Sequence, residues 1–195
     1  LTHISENITN IYEDYSYYFI NFDKGAGKRV TSSDISMPTK VYTRYDDYQF
    51  INEEKNNFLN IGRLWVGDAF NNNKSITFNT KTNILPTDTL KIKSSVYVQN
   101  ANSDKITFSV NGLYNTDYTS TNTADIKIKE IPWEVYPYNL SGNSIKIDYT
   151  VASSNPLIAY YLDYVEVQYK QDLRYNDEQM NFRAFDIEEG SGNAY

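Results

Sequence analysis

Apolar and polar residues alternate with a period of two along most of the chain, which is the pattern of β-strands with one buried face. The clearest segment is SIKIDYTV, in which Ile145, Ile147, Tyr149 and Val151 are apolar and the intervening residues are polar. Strands with a single apolar face are typical of antiparallel sheets. Because many such segments recur between turn-forming residues, the sequence predicts an all-β fold, an antiparallel β-sandwich of the jelly-roll kind.

The predicted strands share short runs of β-branched and aromatic residues. They cover residues 15–22, 41–51, 75–80, 88–100, 104–112, 124–136, 144–152, 159–171 and 179–187. The dipeptide Asn111-Gly112 predicts a tight hairpin turn. Pro132 and Pro137 bracket Trp133, and proline cannot donate to a strand ladder, so this segment is expected at a sheet edge or a bulge.

The same pattern divides the chain into three parts. Residues 1–36 are predicted to form an N-terminal β arm or the end of a preceding unit, residues 37–187 the sandwich, and residues 188–195 a linker-like tail. Residues 53–65 predict a short helix or turn, because apolar side chains recur there at three- and four-residue spacing but Asn and Gly weaken the pattern.

Composition excludes several classes of function. The 195 residues carry a net charge of -7, so nucleic acid is not an expected partner. No apolar run approaches the roughly 18–20 residues of a membrane helix, so membrane insertion is not expected. Cysteine is absent and the one histidine is His3. A Cys-His or Ser-His nucleophilic site is therefore not expected, and no catalytic residue is assigned.

Two acidic pairs, Asp46-Asp47 and Glu53-Glu54, stand in the aromatic stretch of residues 45–70. A glycosidase needs two carboxylates about 5–10 Å apart in one cleft. Neighbouring residues of a regular strand point to opposite faces, so these pairs are expected to be solvated charges. A standalone hydrolase that uses acids from distant segments stays an alternative.

Oxygen-rich segments at residues 68–74 and 115–125 leave calcium open as a cofactor, with a polar turn as the alternative. The EF-hand pattern fails, because the third position counted from Asp68 is Phe70. No metal ligand is assigned.

Aromatic side chains suggest a different kind of site. Trp65 and Trp133 could stack on sugar rings, with core packing as the alternative. Together with Asp46 and Asp68 they are the candidate binding residues. This chemistry predicts, as one hypothesis, a carbohydrate-binding or adhesion module of a secreted bacterial protein.

Three stretches carry a resemblance to a known family: YYFINFDKGAGKRV, YDDYQFINEEKNNFLNIGRLWVGDAF and AYYLDYVEVQYKQDLRYNDEQMNFRAF. In this order they resemble the region ahead of the peptidase domain in the gingipain-like sortases of the type IX secretion system of Bacteroidetes. The resemblance is most specific at a structural motif made of Gly62, Arg63, Trp65, Gly67 and Phe70. We expect this motif to pack on the sandwich with Trp65 as its buried anchor.

The resemblance implies a cell-surface cysteine transpeptidase that removes a C-terminal signal domain from secreted cargo and attaches the cargo to lipopolysaccharide. The catalytic Cys and His do not carry over to this chain, so the resemblance implies a non-catalytic domain. The implied partners are the remaining domains of the same polypeptide, secreted cargo and an outer-membrane anchor protein of the PorV type. The implied location is the outer-membrane surface of a Gram-negative bacterium, reached after transit through the periplasm.

Overall fold

The computed structural model describes residue 15 and residues 17–29, 41–57, 65–99, 105–119, 126–137, 142–153, 155–175 and 179–185. These ranges contain nine strands: β1 (Arg44–Asn52), β2 (Ala69–Phe70), β3 (Asn73–Ile84), β4 (Thr89–Gln99), β5 (Lys105–Val110), β6 (Tyr114–Thr119), β7 (Ile126–Pro137), β8 (Gly142–Ala152) and β9 (Ala159–Asp172). None of the described residues belongs to a helix with the length and hydropathy needed to cross a membrane.

The strands form two antiparallel sheets that face each other across the core. One sheet has the order β1-β9-β4-β7, with the short β2 also paired to β9. The other has the order β3-β8-β5-β6. The predicted all-β antiparallel sandwich is therefore confirmed.

The core lies between the sheets, where the apolar faces of the strands meet. In β8 the alternation is confirmed, since Ile145, Ile147 and Tyr149 are all buried. The Tyr149 ring meets the edge of Phe108 at 5.6 Å between centroids, and its hydroxyl lies 2.7 Å from the Ser94 hydroxyl. Burial raises the pKa of Tyr149 above its ordinary value, and the Ser94 hydrogen bond only partly offsets this.

The hairpin turn between β5 and β6 is confirmed. Asn111 has φ of 49° and Gly112 has φ of 69°, as two left-handed central residues require. The turn is also tied to β8, because the Lys146 N–H donates to the Asn111 side chain at 2.5 Å. The oxygen-rich segment of residues 115–125 is not a polar turn in its first part, because residues 115–119 belong to β6, which ends at Thr119.

The edge-or-bulge prediction for the proline-flanked segment is also confirmed. The pairing of β4 with β7 shifts register between Ile92 and Ser94, so that one residue of β4 lies opposite the dipeptide Pro132-Trp133. β7 is also the last strand of its sheet among the described residues. The Trp133 side chain lies outside what the structure describes, so its binding role stays a prediction.

Two predicted strands are wrong in the described residues. Residues 15 and 17–22 form no strand, and their aromatic side chains are exposed. Residues 179–185 form no strand either, apart from one bridge between Arg183 and Asp46. Alternation alone does not make a strand, because its backbone groups need a neighbouring strand to pair with.

The segment after β1 is not helical where it is described. Asn56 forms an antiparallel bridge with Val66, with backbone hydrogen bonds of 2.8 Å and 2.9 Å. Residues 58–64, which hold the rest of the predicted helix or turn, lie outside the described residues. The described strands fall within the predicted sandwich of residues 37–187, and the boundaries themselves stay predictions.

Candidate binding site at the edge of the sandwich

β1 is the outer strand of its sheet, and part of its free edge is covered by residues 179–185. The Asp46 N–H points away from β9 and donates to the Arg183 carbonyl at 2.6 Å. The Phe185 N–H in turn donates to the Asp46 carboxylate at 2.9 Å. These two bonds hold residues 179–185, which we call the C-terminal segment, against β1. Two hollows lie along this edge.

We call these the outer hollow and the inner hollow. The outer hollow, of about 410 Å³, is lined by Asp46, Asp47, Tyr48, Gln168, Asn181, Phe182, Arg183 and Phe185. The inner hollow, of about 400 Å³, is lined by Tyr45, Asp47, Gln49, Asn79, Lys81, Gln179, Met180 and Asn181. Both volumes fall within the roughly 300–1,000 Å³ of small-molecule sites. The two hollows share Asp47 and Asn181, so they adjoin.

Asp46 has a structural role in the outer hollow. Its side chain is 11 % exposed and lies 3.2 Å from the Lys170 ammonium of β9, its cross-strand neighbour. One carboxylate oxygen faces Lys170 and the other accepts the Phe185 N–H. The predicted binding residue Asp46 is thus in a cleft, and its carboxylate joins β1, β9 and the C-terminal segment.

Asp47 points to the opposite side of β1, as strand alternation predicts. Its carboxylate accepts hydrogen bonds from the Tyr169 hydroxyl at 3.1 Å and from the Gln171 side chain. Burial and the nearby charge of Asp47 raise the pKa of Tyr169 above its ordinary value. Asp46 and Asp47 therefore do not present a pair of carboxylates to one substrate, and neither is solvated as a free surface charge.

A charged cluster fixes the start of β1. The Arg44 guanidinium lies 2.5 Å from Asp88 and 2.5 Å from Asp172, and donates to the Lys170 carbonyl at 2.9 Å. Asp88 is buried and also accepts the Leu85 N–H at 2.7 Å. The cluster joins β1, β9 and the turn before β4, so it holds the edge strand in place beside the hollows.

The prediction that Trp65 anchors the Gly-Arg-x-Trp motif is wrong. Trp65 is 42 % exposed and is not the buried anchor that the sequence predicts. Val66 is fully buried and Phe70 is 9 % exposed, with its ring 5.8 Å from Tyr160. These two smaller residues anchor the segment on the sandwich, because alternation turns Trp65 away from the core. Gly62 and Arg63 lie outside the described residues.

Gly67 sits where a side chain would be crowded. Its N–H donates to the Leu162 carbonyl at 2.7 Å, which brings the two backbones together. A Cβ at this position would lie 3.0 Å from that carbonyl oxygen and 2.4 Å from the Glu53 carboxylate. Close backbone approach therefore explains the glycine of the motif.

Asp68 is exposed and forms an ion pair with the Lys55 ammonium at 2.6 Å. The hydrogen bond from Lys55 lowers the pKa of Asp68, and the same bond raises the pKa of Lys55. The described residues hold no cluster of three or more His, Cys, Asp or Glu side chains that could bind a metal. Calcium at residues 68–74 stays a prediction.

Comparisons with known proteins bear on the fold. No protein-family model matches the sequence, and no curated protein matches it either. Among solved structures, dimeric latent PorU from Porphyromonas gingivalis matches with a TM-score of 0.62 and 20 % identity over 76 % of this chain. The match spans only 15 % of the PorU chain. It therefore shows a shared fold, and this sandwich corresponds to a small part of that protein.

Two carbohydrate-binding modules are more distant. A CBM36 domain of a multidomain xylanase, from the hindgut metagenome of Trinervitermes trinervoides, matches with a TM-score of 0.39 and 13 % identity, over 62 % of this chain and 96 % of that chain. A CBM36 module in complex with calcium and xylotriose matches with a TM-score of 0.36 and 13 % identity, over 61 % and 98 %. Likeness at this level supports no conclusion about ligands.

Sequence reasoning named Asp46 and missed the rest of the outer hollow. Gln168 is a polar residue inside a strand, and nothing in its local sequence distinguishes it from a solvated one. Asn181 and Phe182 lie in a segment predicted as a strand. Only the tertiary fold brings β1, β9 and this segment together, so no local signal could have identified the site.

Proposed function

We propose that this chain is a non-catalytic β-sandwich domain of a larger cell-surface cysteine transpeptidase, a sortase related to PorU. In that protein it would position the peptidase domain, the cargo or the outer-membrane anchor. The observation that carries the proposal is the shared fold over 76 % of this chain against 15 % of PorU. Three sequence stretches resemble the same sortase family.

The chemistry of the chain agrees with a positioning role. The full sequence has no cysteine, so a Cys nucleophile must come from elsewhere in the polypeptide. The acids of β1 hold neighbouring strands and the C-terminal segment, which is a structural use of charge. On this proposal the other domains of the polypeptide are the first partners, followed by cargo and a PorV-like anchor at the outer-membrane surface.

The coding sequence downstream of the Tyr195 codon tests this proposal. We expect an in-frame peptidase domain that contains a Cys and a His in gingipain-like order. An unrelated domain or a stop codon directly after Tyr195 would contradict the sortase assignment.

A second candidate function is carbohydrate binding or adhesion. The exposed position of Trp65 favours it, because a large aromatic face in water can stack on a sugar ring. A glycan array probed with the intact chain and with Trp65→Ala and Trp133→Ala variants tests it. Absence of binding, or binding that ignores both substitutions, excludes the two tryptophans as the platform.

A further inference from the structure

The floor of the outer hollow contains a polar group that lacks a partner. Gln168 is 4 % exposed, and its side-chain Oε1 has no hydrogen-bond partner among the described residues. Buried polar groups are nearly always paired, because an unpaired one loses its hydration without compensation. The unpaired Oε1 is itself buried and costs stability, and a donor from a ligand satisfies it once the carboxamide turns toward the hollow.

The two carboxylates of the outer hollow are already engaged with side chains of β9. Asp46 is paired with Lys170, and Asp47 accepts from Tyr169. A cation would have to compete with Lys170 for Asp46, and an anion would meet that carboxylate in a lining whose guanidinium, that of Arg183, lies against the Phe185 ring. The hollow thus favours a neutral ligand, which the carboxamides of Gln168 and Asn181 can recognise by donating and accepting hydrogen bonds.

An exposed aromatic ring stands beside these amides. Phe182 lines the outer hollow and is 66 % exposed, although it is large and apolar. Its neighbour Arg183 lies with its guanidinium 5.7 Å from the Phe185 ring centroid, a cation–π contact that orders this wall. The apolar C–H face of a pyranose fits such a ring, while its hydroxyls can exchange hydrogen bonds with the carboxamides of Gln168 and Asn181.

A peptide strand fits this place less well than a sugar. Strand addition requires free backbone groups at a sheet edge. At the outer hollow the Asp46 N–H is already bonded to the Arg183 carbonyl, so an incoming strand would have to displace the C-terminal segment. Recognition by side chains, without backbone pairing, is what the hollow offers.

We propose that the outer hollow binds a neutral saccharide unit. Gln168 and Asn181 provide the hydrogen bonds and Phe182 is the stacking platform. This site differs from the Trp65 platform, since Trp65 does not line the hollow. The inference stands apart from the sortase proposal, because a sugar site can belong to a sortase domain or to a separate module.

A glycan array of neutral and acidic oligosaccharides, probed with the full 195-residue chain, is the first experiment. A neutral oligosaccharide that binds is then titrated while the side-chain amide resonances of Gln168 and Asn181 are followed by NMR. We expect saturable shifts of both. Phe182→Ala should weaken binding about 2- to 10-fold, and Trp65→Ala should leave it unchanged.

Gln168→Met separates a binding role from a structural role. Methionine has a similar unbranched shape and removes the unpaired group, so the melting temperature should stay the same or rise. Saccharide affinity should fall about tenfold or more, as expected for losing a hydrogen bond. If this variant does not fold, the surface variant Phe182→Ala still decides the question.

Several results would overturn the proposal. These are no glycan bound on the array, binding that follows Trp65 and ignores Phe182, or full affinity in folded Gln168→Met. Binding to a peptide array that requires Phe182, with no glycan bound, would assign the hollow to peptides instead. The sortase proposal is tested by the coding sequence downstream of Tyr195, so none of these outcomes decides it.

Discussion

Replacing Phe70 by alanine tests which residues anchor the segment between β1 and β3. The Phe70 ring is 9 % exposed and packs in the core, with its centroid 5.8 Å from Tyr160 and 6.3 Å from Tyr149. Truncation removes apolar burial and leaves a cavity enclosed by these two rings. Core Phe→Ala substitutions cost about 3–5 kcal/mol in the free energy of unfolding. For a chain of this size that corresponds to a fall in Tm of roughly 6–20 °C.

Trp65→Ala is the matched comparison, because the residue is larger and lies in the same segment. Trp65 keeps 42 % of its surface in water, so its removal encloses no cavity and only part of the transfer free energy is lost. We expect a loss below about 2 kcal/mol. Urea denaturation of both variants, followed by circular dichroism, measures the difference. If Trp65→Ala is as destabilising as Phe70→Ala, the assignment of the anchor is wrong.

Three further predictions concern the core and its backbone. Gly67→Ala should destabilise the fold by about 1–3 kcal/mol, because the new Cβ overlaps neighbouring atoms, whereas Gly27→Ala, with nothing within 4 Å, should have little effect on the urea midpoint. Ser94→Ala should cost about 1–3 kcal/mol, since it removes the hydrogen-bond partner of the buried Tyr149 hydroxyl, and an unchanged urea midpoint would refute that bond. Burial first, and then the charge of Asp163, raises the pKa of Tyr97 to about 12. The neutral phenol therefore stabilises the fold below the unfolded pKa of about 10, and this contribution is lost as pH rises toward 12. The Tyr97 ring resonances, followed by NMR, should titrate above those of the exposed tyrosines, and ionisation of Tyr97 near pH 10 in a folded chain would contradict this.

The strands of the sandwich could be predicted where the signal is local. β8 shows its two faces in eight residues of sequence, and Asn111-Gly112 specifies a left-handed turn by its own conformational preferences. The bulge at Pro132-Trp133 follows from a missing donor. The strand, the turn and the bulge each depend on residues adjacent in the sequence, so the sequence alone was sufficient to predict them.

The errors arise where a distant segment decides the outcome. Residues 15–22 alternate like a strand in the sequence, but residues 15 and 17–22, which the structure describes, form no strand. Trp65 looks like the anchor of its motif, yet the bridge between Asn56 and Val66 turns it outward. The outer hollow combines β1 with β9 and the segment of residues 179–185, and β1 is more than 100 residues away from both in the sequence. Of its lining, Asp46 alone was predicted as a binding residue.

The central claim, that this sandwich positions the peptidase of a sortase, is tested most directly in the organism that carries the gene. The region that encodes residues 41–185 is deleted in frame, and the amount of the remaining polypeptide is checked by immunoblot. The C-terminal signal domain of secreted cargo is then measured by mass spectrometry. We predict that cargo retains its signal domain although the peptidase domain is present. Complete removal of the signal domain in the deletion strain would contradict the account.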